Sequence, residues 1–169
     1  MSTRPLVTLT LALAPLAAQG IQVEPAQLLP GDQTVGPATA DQRAPVMATG
    51  GGTTLVVWDD LRGGDRDVFA TRLDPNGAPL DPVPIAIAHG SADQTAPQVA
   101  WNGTHFLVAW LSQESSAGWY RNEPRAVRIT PQGSIVDTTP IALPVEADTL
   151  VLASDGAEWL LARDRKSVV

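Results

Sequence analysis

Four aspartates that lie close together form the group best suited to chemistry: Asp59, Asp60, Asp65 and Asp67. Grouped carboxylate oxygens bind calcium, and a pair of carboxyl groups supplies the acid and base of glycoside cleavage. The aspartate spacing matches no calcium-binding loop, however, and Arg62 and Arg66 lie within the same stretch. We therefore expect a turn that is held by contacts from aspartate to backbone and from aspartate to arginine.

Other reactive residue types are sparse. His89 and His105 have no cysteine or second histidine at metal-ligand spacing, so we expect surface or half-buried positions for both. The sequence contains no Gly-x-Ser-x-Gly, phosphate-binding glycine loop or His-Glu-x-x-His. Asn102-Gly-Thr104 is formally a glycosylation acceptor, and we interpret it as a hairpin turn. We thus predict no catalytic residue, no cofactor and no metal ligand.

An internal repeat must position these residues. Thr54–Asp60 is echoed fifty-two residues later by Phe106–Ser112, and the motif Asp-Gln-x-Ala-Pro precedes both stretches, at positions 41 and 93. Further along the offset is fifty-six residues, as in the match of Arg72 with Arg128. A third copy begins near Glu146 and then stops. Fixed-period similarity of this length is typical of repeat architectures.

Each copy is predicted to form four short strands, and no window has helical apolar spacing. The predicted strands of the two copies are Pro45–Thr49, Thr54–Asp60, Asp67–Leu73 and a strand around Ile85, then Gln98–Trp101, His105–Leu111, Arg125–Ile129 and a strand around Ile141. Ser112–Pro124 is predicted to be a polar loop that contains the four extra residues.

The second strand of each predicted repeat explains why the chain needs more than one copy of the repeat. Leu55, Val56, Val57 and Trp58 form a continuous apolar run, so both faces of this strand must be covered. We expect Trp58 and Trp110 to wedge between neighbouring sheets, where each contributes roughly 4 to 6 kcal/mol of gross burial at about 25 cal/mol per Å². The alternative is that the two indoles form an exposed aromatic platform for a ligand.

The chain divides into six segments. Residues 1–20 have the charged start, apolar run and small-residue end of a secretory signal peptide, with a membrane anchor or a buried strand as the disfavoured alternatives. Residues 21–40 are predicted to be an N-terminal strand and loop that could close a ring. Repeats at 41–92 and 93–145 follow, and then a truncated repeat at 146–163 and a tail at 164–169 that we interpret as non-native. This ragged end indicates a truncated gene product.

The run Val-Val-Trp-Asp-Asp-x-Arg-Gly-Gly-Asp-x-Asp-Val-x-Ala-x-Arg, from Val56 to Arg72, resembles the repeats of secreted bacterial β-propellers of the TolB-like and sialidase-like group. The resemblance implies an all-β fold, an incomplete β-propeller of about two and a half four-stranded blades, because propellers close with about four to eight. The Asp-box of sialidases, Ser-x-Asp-x-Gly-x-Thr-Trp, is missing. The segment Ser154–Trp159 contains some residues of the Asp-box motif, but at the wrong spacing. It is better explained as a hairpin turn.

The amino-acid composition mainly excludes classes of function. The net charge is −7 with scattered acidic residues, which argues against a nucleic-acid partner, and there is no cysteine, so burial alone must stabilise the fold. We expect a secreted, periplasmic or surface-exposed module without a membrane span after signal removal. Its expected role is non-catalytic binding or scaffolding of a protein or glycan through the connecting loops, and its missing C-terminal blades would be a further partner. The alternatives are a fragment of a propeller-bearing glycosidase and a non-functional truncated product.

Overall fold

The structure of the protein is a computed structural model that describes residues 40–116, 119–143 and 145–165. The predicted signal peptide and nearly all of the predicted N-terminal strand and loop lie outside the described residues, as do the last four residues of the predicted tail. Asp164, the first residue of that tail, ends a strand and pairs with Thr149.

The described residues form two four-stranded sheets and one hairpin, all antiparallel. Sheet 1 contains β1 (Gln42–Gly50), β2 (Thr53–Asp60), β3 (Asp67–Leu73) and β4 (Ile85–Ala88). Sheet 2 contains β5 (Asp93–Trp101), β6 (Phe106–Ser116), β7 (Trp119–Ile129) and β8 (Ile141–Ala142). The hairpin contains β9 (Thr149–Ser154) and β10 (Trp159–Asp164). Strand order follows chain order in both sheets, which confirms the all-β prediction and the four strands of each complete copy.

The first strand of each sheet carries the same bulge. The β1–β2 register shifts between Arg43 and Val46, and the β5–β6 register shifts between Thr95 and Gln98. Ala44 and Ala96 sit at these shifts with φ of 48° and 51°, each directly before a proline. Positive φ is costly for alanine, so its recurrence at equivalent positions shows that surrounding contacts impose the same backbone path on both copies.

Sheet 1 and sheet 2 stack through one apolar cluster. Side chains alternate across a strand, so a strand that is apolar throughout offers a packing surface on both sides. The cluster takes Leu55, Val57, Val68, Ala70 and Ile87 from sheet 1, and Phe106, Val108, Trp110, Val127 and Ile129 from sheet 2. The opposite face of sheet 2 packs on the hairpin, where Ala109, Leu111 and Ala126 meet Leu150 and Leu152.

The two repeated tryptophans have different neighbours. Trp110 is fully buried between sheet 1 and sheet 2, as the sequence predicts. Trp58 is also buried, but it clusters with Val56 and Phe69 on the side of sheet 1 that faces away from sheet 2. The two indoles lie on equivalent faces of their sheets: Trp110 is on the side of sheet 2 that packs on sheet 1, and Trp58 is on the corresponding side of sheet 1. No sheet precedes sheet 1 among the described residues, so the prediction that Trp58 lies between sheets is not confirmed by them.

The predicted polar loop at Ser112–Pro124 is wrong. Most of this segment extends β6 and β7 into a longer hairpin, with Gln113 opposite Asn122 and Glu114 opposite Arg121. Polar composition suggested a loop, but the backbone of these polar residues pairs across the two strands, and the side chain of Glu114 forms an ion pair with Arg125 on the neighbouring strand. The extra residues of the second copy therefore lengthen two strands instead of a loop.

Trp110→Ala tests the stacking directly. Removing a fully buried indole should lower the free energy of unfolding by about 3 to 5 kcal/mol, through lost burial and the cavity left behind. Met47→Ala, at a side chain that is 67% exposed, should change it by less than about 0.5 kcal/mol. Urea denaturation followed by circular dichroism measures both, and equal stabilities of the two variants would contradict the packing.

Candidate functional site

The aspartate-rich turn after β2 is held by internal contacts. Asp60 is fully buried, and its carboxylate accepts hydrogen bonds from the Arg62 backbone N–H at 2.8 Å and from the Arg62 guanidinium at 2.5 Å. Gln42 Nε2 and Trp58 Nε1 donate to the same carboxylate at 3.0 and 3.3 Å. Burial alone would raise the pKa of Asp60, but the donors outweigh it and hold this pKa below its ordinary value.

A second part of the turn ties the repeats together. Arg66 donates to Asp59 at 2.7 Å and to Asp41 at 3.0 Å. Its backbone N–H donates to the Asp93 carboxylate at 2.9 Å, and its carbonyl accepts from the N–H of Gln94 at 2.6 Å. The predicted turn with aspartate-to-backbone and aspartate-to-arginine contacts is confirmed, and it also anchors the start of sheet 2.

Asp67 has a different environment from Asp60, although the two residues face each other across β2 and β3. Burial raises the pKa of Asp67, and the negative charges of Asp65 and Asp60 raise it further. The N–H of Gly90, which donates to Asp67 at 3.2 Å, and the charge of His89 oppose this rise without cancelling it. Within the described ranges no three side chains of His, Cys, Asp or Glu are placed to hold a metal ion.

A cleft of about 590 Å³ opens between sheet 1 and sheet 2. One wall is β4 with the connection to β5, from Ala86 to Ala92, and the other is the face of β6 and β7 that carries Trp110 and Arg125. The connection between β7 and β8, which includes Asp137, completes the rim. The cleft therefore depends on the stacking of the two repeats, because neither sheet forms it alone.

An ionic network lies in the cleft wall. Arg125 Nη2 donates to Glu114 Oε1 at 3.1 Å and to Glu123 Oε2 at 3.4 Å, and the Ser112 hydroxyl contacts the same Glu114 oxygen at 3.2 Å. Nε of Arg125 is buried and has no hydrogen-bond partner among the described residues. A buried donor without a partner is costly, so this arginine is not placed for the stability of the fold alone.

The network is specific to the second repeat. Arg125 pairs with Trp110 at the place where Phe69 pairs with Trp58 in sheet 1. There the phenyl ring lies 6.5 Å from the indole, with the Arg62 guanidinium 4.0 Å above it. A feature present in one copy only is not required by the stacking that both copies share. We therefore regard the Arg125 network as the strongest candidate for function.

Further polar groups surround the network. Trp110 Nε1 donates to Gln94 Oε1 at 2.6 Å, and both residues line the cleft. His89 is exposed on the opposite wall, as predicted for a surface position. His105 is half-buried at the start of β6, and its charge helps to lower the pKa of Asp137, for which the hydrogen bond from Arg128 is the main cause.

Sequence reasoning did not select Glu114, Arg125 or His89 as site residues. The available signal was the mismatch between copies, since Arg125 and Phe69 differ sharply within an otherwise repeated frame. The two turns suspected of other roles are hairpin turns, as predicted. Asn102 Oδ1 accepts from the N–H groups of Thr104 and His105, and Asp155 Oδ1 accepts from those of Ala157 and Glu158.

Comparison of the chain with protein-family models, with curated proteins and with solved structures finds no match. The part of the chain that the structure describes contains no helix that could span a lipid bilayer. The site must therefore be interpreted from its own geometry.

The same substitution at Asp60 and Asp67 should have opposite effects at pH 7. Ionised Asp60 stabilises the fold above its unfolded pKa of 3.8, and this stabilisation is lost as pH falls through the lower folded pKa. Asp60→Asn should therefore cost about 3 kcal/mol at pH 7, and the loss should shrink in acid. Thermal melts from pH 3 to pH 7 measure this dependence.

Asp67→Asn is the matched variant. Because the folded pKa of Asp67 lies above 3.8, its ionisation opposes folding, and the penalty develops as pH rises from the unfolded to the folded pKa. The variant should be more stable than the wild type at pH 7, and the gain should vanish at pH 3. A loss of stability at pH 7 would contradict the assigned environment of Asp67.

Proposed function

We propose that sheet 1, sheet 2 and the hairpin are consecutive blades of an incomplete β-propeller, about two and a half blades, of the secreted bacterial type that the sequence resembles. Three observations support this arrangement. Each complete unit is a four-stranded antiparallel meander, equivalent faces stack in sequence, and the first strands β1, β5 and β9 are spatial neighbours. Radially repeated sheets of this kind are held together by such face-to-face packing.

In this arrangement the protein is a secreted or surface-exposed binding module without catalytic activity, and it recognises a protein or a glycan at the cleft between sheet 1 and sheet 2. The observation that supports this best is the replacement of a packing aromatic, Phe69, by an ionic network around Arg125 at the equivalent position. The equivalent position thus carries an apolar ring in sheet 1 and a charged cleft wall in sheet 2, so the shared sheet architecture does not require the charge.

The chemistry of the cleft favours a polar ligand. The partly exposed guanidinium of Arg125 and the exposed His89 supply donors, whereas the partly exposed carboxylate of Glu114 supplies acceptors. Glu114 and Glu123 share the charge of Arg125, so the wall is not a strongly cationic surface. Mixed donors and acceptors beside apolar side chains suit the hydroxyl groups of a saccharide or the backbone of an extended peptide.

One observation favours the alternative, a fragment of a propeller-bearing glycosidase. Asp60 and Asp67 face each other with pKa values moved in opposite directions, which is the separation expected of a base and an acid. The position of Asp67 also holds a carboxylate, Glu123, in the second copy. Asp60 is nevertheless fully buried and already accepts from Gln42, Trp58 and Arg62, so its carboxylate is not available to a sugar.

Titration of the ¹⁵N-labelled chain with a panel of oligosaccharides and with a random peptide library tests the binding role. We expect amide shifts in residues 88–92 and 112–114, with affinity at least tenfold weaker in Arg125→Gln. Arg121→Gln is the matched control, because Arg121 lies on the same strand but pairs with Glu146 outside the cleft. Unchanged affinity in Arg125→Gln, or hydrolysis of a saccharide in the panel, would contradict the proposal.

A further inference from the structure

The cleft wall that sheet 1 supplies is bonded to the aspartate-rich turn. Residues 89–92, which we call the wall segment, join β4 to β5 and line the cleft. Directly before this segment, Ala88 pairs with Val68 of β3. Directly after it, the carboxylate of Asp93 accepts a hydrogen bond from the backbone N–H of Arg66 at 2.9 Å. Both ends of the wall segment are therefore fixed to sheet 1.

Asp67 holds the middle of the wall segment. Its Oδ1 accepts a hydrogen bond from the backbone N–H of Gly90 at 3.2 Å. Asp67 is the first residue of β3 and is buried. A hydrogen bond to an ionised acceptor is about twice as strong as one between neutral groups. The grip of Asp67 on Gly90 therefore depends on whether the carboxyl group is charged.

The surroundings of Asp67 favour the neutral form more than water does. Burial is the main cause that raises the pKa of Asp67, and the negative charges of Asp65 in the preceding turn and of Asp60 on β2 raise it further. The N–H of Gly90 and the charge of His89 lower this pKa, but by less. The charge of Asp67 is therefore lost at a higher pH than that of an ordinary aspartate.

The two cations of the same turn are engaged with other carboxylates. Arg62 pairs with Asp60 at 2.5 Å, and Arg66 pairs with Asp59 at 2.7 Å. Their positive charges are thus shared with neighbouring aspartates, and the pKa of Asp67 stays raised beside them.

The second copy uses the equivalent position differently. Glu123 is the counterpart of Asp67, because it lies opposite Ser112 where Asp67 lies opposite Asp60. The side chain of Glu123 is 43% exposed and accepts from the Arg125 guanidinium at 3.4 Å. The shared architecture therefore does not require a buried carboxylate at this position, and the bond to the wall segment is specific to the first copy.

We propose that Asp67 is a positioning residue for the cleft, which fixes the wall segment while its carboxylate is ionised and releases it in acid. Above the folded pKa of Asp67 the segment is held at Gly90, and as pH falls through that pKa the hydrogen bond weakens and the segment becomes more mobile. Because the segment carries His89, ligand binding at the cleft weakens over the same range. This last step rests on the proposed function of the cleft, whereas the release of the segment does not.

A spin label on the wall segment tests the release without a ligand. The chain has no cysteine, so Ser91→Cys provides a single thiol for a nitroxide, on an exposed residue that lines the cleft. Between pH 7 and pH 3 we expect one step in which the mobile fraction of the spectrum at least doubles. A label on Ser134→Cys, at an exposed residue in the turn after β7, should show no step. Far-ultraviolet circular dichroism over the same range distinguishes the step from unfolding.

Three variants of the labelled chain identify the titrating group. Asp67→Asn should abolish the step and leave the segment as mobile at pH 7 as it otherwise is in acid. Asp65→Asn should move the step to lower pH, because the charge of Asp65 raises the pKa of Asp67. His89→Gln should move it to higher pH, because the charge of His89 lowers that pKa. A step that survives in Asp67→Asn, disappears in His89→Gln or coincides with loss of the dichroism signal would overturn the inference, as would a label of constant mobility.

The effect on binding has a separate measurement. The panel member that shifts the amides of residues 88–92 should bind Asp67→Asn at least threefold more weakly than the unsubstituted chain at pH 7. Asp65→Asn is the control and should keep its affinity, because Asp65 is exposed and lies outside the cleft. Equal affinities of Asp67→Asn and the unsubstituted chain would overturn the effect on binding. If no panel member binds, the proposed function fails together with this effect, and the spin label still decides whether Asp67 positions the wall segment.

Discussion

The structure depends on the packing of β strands that are apolar on both faces. Leu55 and Val57 are completely buried on one side of β2, while Val56 and Trp58 are buried on the other. Sheet 2 covers the side that carries Leu55 and Val57, which would otherwise lie in water, and each buried aliphatic side chain accounts for roughly 1.5 to 3 kcal/mol. Stacked sheets remove this cost, so the repeat in the sequence and the stack in the structure have the same physical cause.

The polar contacts follow from this stacking. Arg66 reaches from the turn after β2 to the start of β5, and Arg72 reaches from β3 to the turn after β7, so both arginines join one repeat to the next. Such contacts fix the orientation of neighbouring sheets, because each is a directional hydrogen bond from one repeat to the next. The rigid stack then holds the cleft between sheet 1 and sheet 2 open, with its ionic wall at Arg125.

The sequence was sufficient to predict the all-β fold and the burial of Trp110, because both depend on the apolar pattern of the strands. It also aligned Arg72 with Arg128 and Asp81 with Asp137, which form equivalent ion pairs. The long hairpin at Ser112–Pro124 could not be predicted in this way, since its cross-strand partners Glu114 and Arg121 are polar and resemble a loop in composition. The cleft was missed for a related reason. It is formed by side chains distant in sequence, and only the mismatch between Phe69 and Arg125 pointed towards it.

Hydrogen exchange measured residue by residue on the native chain tests the central claim most directly. If sheet 1 and sheet 2 are stable only as a stack, the slowest amides of β2 and β6 open together, with one free energy equal to that of global unfolding. We expect this single value. Exchange in β2 that is a hundredfold faster than in β6, with β6 still fully protected, would show that the sheets fold independently and would contradict it.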